Sequence, residues 1–165
     1  MARILMVSKP IQPPWDDSAK NLARDLVRFS KRHEYRVMGL RGAEGPSPRA
    51  VVEPVYRGTG TYTPSFGQNL RVLRRLFRPD DCDIYHFFFA PNPATSRAAR
   101  LVRGLKKRKR LVHTICSAPA TYEDIQRHMF AHRVVALSEN TRQALLENGV
   151  PGVIRIPPAI DGSTR

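Results

Sequence analysis

Short apolar segments alternate with segments of helical periodicity along most of this 165-residue chain. The apolar segments favour β-strands and include ARILMVS, YRVMGL, DIYHFFFA, RLVHTIC, RVVALS and VIRI. Between most of them, apolar residues recur at the three- and four-residue spacing of a helix face. Such alternation is typical of a parallel α/β sheet, and strands that are apolar on both sides suit a sheet covered by helices. The pattern predicts a single-domain α/β fold, a Rossmann-like doubly wound parallel sheet in three layers.

Three amphipathic segments are predicted to form the main covering helices. The first spans about 17–32, the second is a basic segment after residue 67, and the third spans 93–105. A shorter helix is expected within 122–130. The residues at core spacing, which we expect to face the sheet, are Leu22, Leu26 and Phe29 in the first segment, Leu70, Leu73 and Phe77 in the second, and Ala94, Ala98, Leu101, Val102 and Leu105 in the third.

Ligands of such sheets bind at the carboxyl ends of the strands. The loops after Ser8, Phe89, Cys116 and Ser138 are therefore predicted to share one edge, which we call the rim. The first rim loop, SKPIQPPWDDSAK, lacks the G-x-G-x-x-G pattern, which disfavours an NAD or FAD role, and it contains no P-loop. Two interpretations stay open: an ordinary turn capped by one of its aspartates, or a loop that presents four residues to a ligand. Those residues are Trp15, Asp16, Asp17 and Ser18.

The chain is strongly basic, with 28 Lys and Arg against 14 Asp and Glu and a formal net charge of +14. Such a surface favours polyanions. An anionic membrane and a merely solvated face are equally compatible with the pattern, whereas nucleic acid is disfavoured because the aromatic platforms of single-strand binders are not visible. The candidate anion- or membrane-binding residues are Arg71, Arg74, Arg75, Arg103, Lys106, Lys107, Arg108, Lys109 and Arg110.

Cysteine usage and hydropathy indicate the compartment. The two cysteines, Cys82 and Cys116, form no disulfide framework and lack zinc-ligand spacing, which fits a reducing environment. The N-terminal apolar run stops at Lys9 and is too short for a signal peptide, and no run approaches the ~20 apolar residues of a membrane span. We expect a cytoplasmic protein, free or peripheral on the inner face of the membrane, without a metal site.

One segment resembles a known family. RVVALSENTRQALLENGVPGVIRIPPAID is similar to the segment that closes the N-terminal domain of retaining GT-B glycosyltransferases, the group that includes bacterial mannosyl- and glucosyltransferases. The strands in DIYHFFFAP and HTICSAP resemble that family's strands ending in histidine. The resemblance implies a GT-B N-terminal domain at 1–158 and the start of an interdomain hinge at 159–165, with the C-terminal nucleotide-binding domain absent from the chain.

The resemblance also implies a function. The chain would be the acceptor-binding half of a sugar-nucleotide-dependent hexosyltransferase that retains anomeric configuration, needs no metal and is inactive as this half alone. It would bind no cofactor, because the sugar-nucleotide donor is expected only with the C-terminal nucleotide-sugar-binding domain, the expected partner. The acceptor would be a glycan, a glycolipid or a small molecule. The alternative is a non-catalytic basic α/β module that binds nucleic acid or anionic lipid.

No catalytic residue is assigned by the resemblance, but a set of substrate-facing rim residues is implied. The first rim loop would lie near donor or acceptor, His86, Cys116 and Ser117 would line the acceptor side, and Ser138, Glu139 and Asn140 would shape the edge. Three positions depart from the family pattern: Asp17-Ser18 stands where a Gly-Gly pair is usual, Cys116 stands where histidine is usual, and Ala159 stands where the hinge glycine is usual.

Overall fold

The computed structural model describes residues 1–57 and 65–158. Its strands are β1 (Arg3–Val7), β2 (Glu34–Leu40), β3 (Ala50–Tyr56), β4 (Ile84–Phe88), β5 (Arg110–Ile115), β6 (Arg133–Ala136) and β7 (Val153–Arg155). Across the described residues they form one seven-stranded, all-parallel sheet in the order β3-β2-β1-β4-β5-β6-β7. The predicted single-domain, Rossmann-like α/β fold is confirmed. The hinge predicted at 159–165 lies outside the described residues.

Helices cover both faces of this sheet. They are α1 (Ser18–Phe29), α2 (Phe66–Phe77), α3 (Pro93–Leu105) and α4 (Glu139–Glu147). α1 packs on one face, and α2, α3 and α4 pack on the other. α1 ends earlier than the predicted residue 32, and the short helix predicted within 122–130 is a 3-10 turn over Ile125–His128. β1 pairs with both β2 and β4, so the chain reverses its direction of travel across the sheet at the point where such folds bind ligands.

Side-chain caps fix where the α-helices begin. Asp17, Ser65, Asn92 and Ser138 each accept a hydrogen bond from the backbone amide three residues later. Each satisfies a backbone donor that the first helical turn leaves free, a contribution of about 1 kcal/mol. The helix starts are therefore set by local sequence, as are the loops that precede them on the rim.

The helix faces that meet the sheet differ from the predicted ones. In α1, Ala23 and Val27 are buried, whereas Leu26 and Phe29 are substantially exposed. In α2 and α3 the prediction is wrong only in part, because Phe77 packs against the core and Val102 is fully buried, as predicted. Leu70 of α2 and Leu101 and Leu105 of α3, all predicted to be buried, are each more than half exposed.

The surface of the sheet explains this rotation. Tyr35, Tyr85 and Phe87 are almost completely buried on the strands. Because cores are close-packed, a helix can approach such bulky side chains only where its own are small. Ala23 and Ala99 occupy those positions. Apolar periodicity gives most weight to large residues, and it therefore selected a neighbouring face.

Candidate functional site

Asp17 organises the first rim loop. Its carboxylate accepts a hydrogen bond from the Lys20 amide at 2.9 Å, which caps α1, and a second from the Lys9 ammonium. Burial would raise the pKa of Asp17, but the bonds from Lys9 and Lys20 outweigh burial and hold that pKa below its usual value. The first rim loop is therefore a turn capped by Asp17, one of the two interpretations of the sequence. The residue that departs from the family's Gly-Gly pair holds the loop in shape.

The neighbouring loop residues are held by a buried lysine. Lys20 donates from Nζ to the Pro14 carbonyl at 2.7 Å and lies 3.7 Å from an Asp16 carboxylate oxygen. Trp15 is partly exposed, and the Arg24 guanidinium lies 4.6 Å from the centroid of its ring. Ser18 is exposed at the first position of α1. Asp16, Trp15 and Ser18 are therefore accessible to a ligand, whereas Asp17 is largely occupied.

His86 lies in β4 on the α1 side of the sheet. Its Nε2 is 2.8 Å from Thr114 Oγ1, and its ring centroid is 4.2 Å from that of Phe88. Burial, helped by the nearby His113, lowers the pKa of His86 to about 3. The imidazole is therefore neutral at physiological pH, so it can exchange hydrogen bonds with a hydroxyl but carries no charge for an anion.

Cys116 follows β5 on the same side of the sheet. Its Sγ is 3.6 Å from the Thr114 carbonyl oxygen. Burial and then the charge of Asp17 raise the pKa of the thiol to about 12, so it is protonated and a poor nucleophile at neutral pH. The structure thus brings Asp17, His86 and Cys116 together around the switch point, with Thr114 between the last two. Ser117 is exposed just beyond them.

The remaining predicted rim residues lie at the start of α4. Ser138 caps this helix by accepting a hydrogen bond from the Thr141 amide at 3.1 Å. Glu139 forms ion pairs with Arg142 at 2.6 Å and Arg155 at 3.8 Å. Ser138, Glu139 and Asn140 are all exposed. They stay predicted edge residues, away from the Asp17 and His86 cluster along the sheet order.

An open cleft beside the first rim loop was not predicted. It has a volume of about 590 Å³ and lies between that loop, α1 and the connection from β2 to β3. Its lining includes Gln12, Trp15, Arg24, Arg28 and Glu44. Within the described residues Arg28 forms no ion pair, and its guanidinium lies over Phe29. The i, i+4 spacing of Arg24 and Arg28 was the available sequence signal for this cleft.

Gln12 is the buried polar group of the cleft. Its Oε1 accepts a hydrogen bond from the Leu40 amide at 3.1 Å, whereas its buried Nε2 has no hydrogen-bond partner among the described residues. A Cβ atom at Gly39 would lie 2.5 Å from that nitrogen, so glycine is required for Gln12 to occupy this position. The cleft thus combines an aromatic ring with two guanidinium groups on a mostly apolar lining.

Two of the candidate anion-binding residues are engaged inside the fold. Arg75 donates to Glu53 at 2.8 Å and to Asp80 at 2.7 Å, and its side chain is only 9% exposed. Lys109 donates to the Asp80 carbonyl at 3.1 Å and lies 3.4 Å from its carboxylate. Their charges are therefore neutralised at the amino end of the sheet and are poorly placed for an external anion.

The other candidates differ in how far they are engaged. Arg103 donates to the Phe130 carbonyl at 3.0 Å, and Lys106 donates to the Arg78 carbonyl at 2.6 Å. Neither contact neutralises the charge. Five candidates form no ion pair within residues 1–57 and 65–158: Arg71, Arg74, Lys107, Arg108 and Arg110.

In the part of the chain that the structure describes, no group of three or more His, Cys, Asp or Glu side chains is placed to hold a metal ion. No helix there is both long and apolar enough to cross a bilayer.

A family model for Glycosyltransferase Family 4 matches residues 18–163. The chain belongs to this family. The match covers the rim from Ser18 onward, with His86, Cys116 and the start of α4. It supports a glycosyltransferase N-terminal module.

Solved structures support the fold of this family 4 domain. The Candida albicans trehalose-6-phosphate phosphatase N-terminal domain is similar, with a TM-score of 0.62 at 12% sequence identity. That match covers 98% of this chain and 49% of the other, so the chain spans about half the length of the solved structure. At this identity the likeness concerns the fold alone. No curated protein sequence matches the chain.

Proposed function

We propose that this family 4 domain is the acceptor-binding module of a retaining, sugar-nucleotide-dependent hexosyltransferase. A nucleotide-sugar-binding domain acts with it and supplies the donor, and the 165-residue chain is inactive by itself. The family match over residues 18–163 carries this proposal. The cluster of Asp17, His86 and Cys116 at the switch point adds support, because ligands of parallel α/β sheets bind there.

In this proposal the rim residues orient the acceptor and do not act as nucleophiles. The thiol of Cys116 is protonated and His86 is neutral, so each can contact a sugar hydroxyl without charge. Orientation of an acceptor hydroxyl against the donor is itself a large source of rate acceleration. The reacting site would then be completed between this domain and its partner, where closure excludes water.

His86 and Cys116 do not line the cleft beside the first rim loop, and in that cleft we place the part of the acceptor beyond its reacting hydroxyl. Trp15 offers a flat apolar surface, and Arg28 offers a cation for an acceptor that carries phosphate or carboxylate. Few polar groups on an apolar lining are the usual composition of small-molecule sites. The acceptor classes that fit are saccharides, glycolipid head groups and phosphorylated small molecules.

Trp15 provides the test, because it is the one tryptophan of the chain. We expect its fluorescence to change on titration with members of a panel of neutral sugars and sugar phosphates. Arg28→Gln should weaken binding of the sugar phosphates by about tenfold, the loss of one charge-assisted hydrogen bond. Arg32→Gln, a nearby exposed arginine outside the cleft, is the matched control and should change little. A panel without any response would contradict the acceptor site.

A second measurement addresses the division of labour. The purified 165-residue chain, supplied with sugar nucleotides and the acceptors found above, is expected to form no transfer product. Product formation by this chain alone would contradict the requirement for a nucleotide-sugar-binding partner domain.

A further inference from the structure

Two side chains from the first turns of α1 hold the backbone on both sides of Trp15. Nζ of Lys20 donates to the Pro14 carbonyl oxygen at 2.7 Å and lies 3.7 Å from an Asp16 carboxylate oxygen. Nδ2 of Asn21 donates to the carbonyl oxygen of Trp15 itself at 3.2 Å. The segment that carries the aromatic ring of the cleft is therefore tied to α1 at consecutive residues.

Both contacts carry a local energetic cost. Lys20 is only 4% exposed, and the nearest Asp16 carboxylate oxygen is too far for a hydrogen bond. Burial of an ammonium group is unfavourable unless a carboxylate pairs with it closely. Asn21 keeps its Oδ1 buried without a hydrogen-bond partner among the described residues, which also lowers stability. An apolar side chain at either position would avoid these costs, so the stability of α1 does not account for Lys20 and Asn21.

The ring of Trp15 is held by a third residue of the same helix. The Arg24 guanidinium lies 4.6 Å from the ring centroid, and its Nε donates to Asp25 at 2.8 Å. Trp15 is still 40% exposed and lines the cleft together with Arg24. The ring is thus fixed through its backbone and from one side, while part of its surface stays available to a ligand.

We infer that Lys20 and Asn21 are positioning residues that hold Trp15 in place and thereby set how tightly the cleft binds a ligand. Both lie outside the lining of the cleft, so their effect on a ligand passes through Trp15. A ring that is already held loses less conformational freedom when a ligand arrives, which strengthens binding. The ligand part of this inference rests on the proposed acceptor site, whereas the position of Trp15 can be measured without any ligand.

Acrylamide quenching of tryptophan fluorescence tests the positioning in the ligand-free 165-residue chain. Trp15 is the one tryptophan, so the signal reports its ring alone. We expect Lys20→Met and Asn21→Ala each to raise the quenching constant by about 1.5-fold, because the segment opens more often once an anchor is lost. The matched control is Lys31→Met, the same substitution at an exposed lysine just after α1, which should leave quenching unchanged.

Calorimetric titration with a panel of sugar phosphates tests the consequence for binding. Lys20→Met and Asn21→Ala should each weaken binding by about fivefold, the effect of ordering one side chain on association, and Lys31→Met should not change it. A panel that does not bind the unsubstituted chain would contradict the proposed acceptor site, and the quenching comparison would still decide whether Lys20 and Asn21 position Trp15.

A urea unfolding curve establishes that each variant is folded, and Asn21→Ala carries the test if Lys20→Met does not fold. Lower stability with unchanged quenching would show that the two residues serve the fold only, and would overturn the inference. An equal rise of quenching in Lys31→Met would overturn it as well. So would an unchanged affinity for a sugar phosphate that binds the unsubstituted chain.

Discussion

At the amino end of the sheet, Arg75 is enclosed by Glu53 and Asp80, and Tyr85 adds a hydrogen bond to Asp80 at 2.6 Å. At the carboxyl end, the charged and polar residues form smaller groups and stay partly accessible, as Asp16 does. The first arrangement neutralises charge within the protein, and the second leaves hydrogen-bonding capacity for a ligand. Charged residues that look alike in the sequence are therefore neutralised within the fold at one end of the sheet and stay accessible at the other.

The largest loss of stability is expected on replacement of Arg75. Arg75→Met leaves Glu53 and Asp80 as carboxylates without their buried partner, and loss of one member of such a pair costs about 3–5 kcal/mol. We expect the free energy of unfolding in urea to fall by an amount in that range. Arg74→Met, on the exposed side of the same helix, is the control and should change it by less than about 0.5 kcal/mol. Similar losses in both variants would contradict the distinction between engaged and free arginines.

His113 is expected to make the free energy of unfolding depend on pH. Nε2 of this buried residue donates its N–H to the Phe89 carbonyl oxygen at 3.0 Å, and the imidazole stacks on the Phe130 ring with the ring centroids 4.8 Å apart. Burial lowers its pKa to about 4, against about 6.5 in the unfolded chain. The unfolded state therefore binds the proton first as pH falls, and stability declines between about pH 6.5 and 4.

For His113 this decline should amount to roughly 1 kcal/mol between pH 7 and 5.5, and His86, whose pKa is about 3, adds to it. Urea unfolding curves at several pH values measure it. His113→Phe keeps the aromatic packing but removes the titrating group, so the slope of stability against pH should become shallower. An unchanged slope would show that His113 does not contribute.

The smallest effect is expected at the carboxyl end, at Asp17. Asp17→Ala removes the N-cap of α1 and should lower the free energy of unfolding by about 1 kcal/mol, whereas Asp17→Asn keeps a capping oxygen and should lose less. Asp17→Asn also removes the negative charge that helps to raise the pKa of Cys116. Alkylation of this thiol, measured against pH in a Cys82→Ser background, should become faster. Equal losses of stability in the two Asp17 variants would argue against the cap.

Features that depend on neighbours in the sequence could be predicted. The strands, the start of α4 at Ser138 and the rim loops followed from apolar runs and capping residues. The buried helix faces could not be, because small residues such as Ala23 and Ala99 pack against bulky strands that only the fold brings near.

Long-range pairing limited the prediction of the site in the same way. Arg75 has the same appearance in the sequence as Arg74, and only the position of Glu53 on β3 distinguishes them. The cleft was not predicted because the position of Gln12, in the first rim loop, depends on Gly39 of β2, which is distant in the sequence. His86 and Cys116 stay predicted rim residues, and their neutrality depends on burial that no local pattern reports.

The central position of β1 has a consequence for synthesis. Ile4 is aligned with Tyr35 of β2 on one side and with Ile84 of β4 on the other. The second edge of β1 can therefore pair only after β4, which is synthesised much later, is available. Leu5 and Met6 of β1 leave the ribosome long before β4 does, so one edge of β1 stays unpaired during that time. Such non-local pairing slows folding and prolongs exposure of an aggregation-prone strand. The nascent chain is therefore expected to need chaperone protection until about residue 88 has emerged.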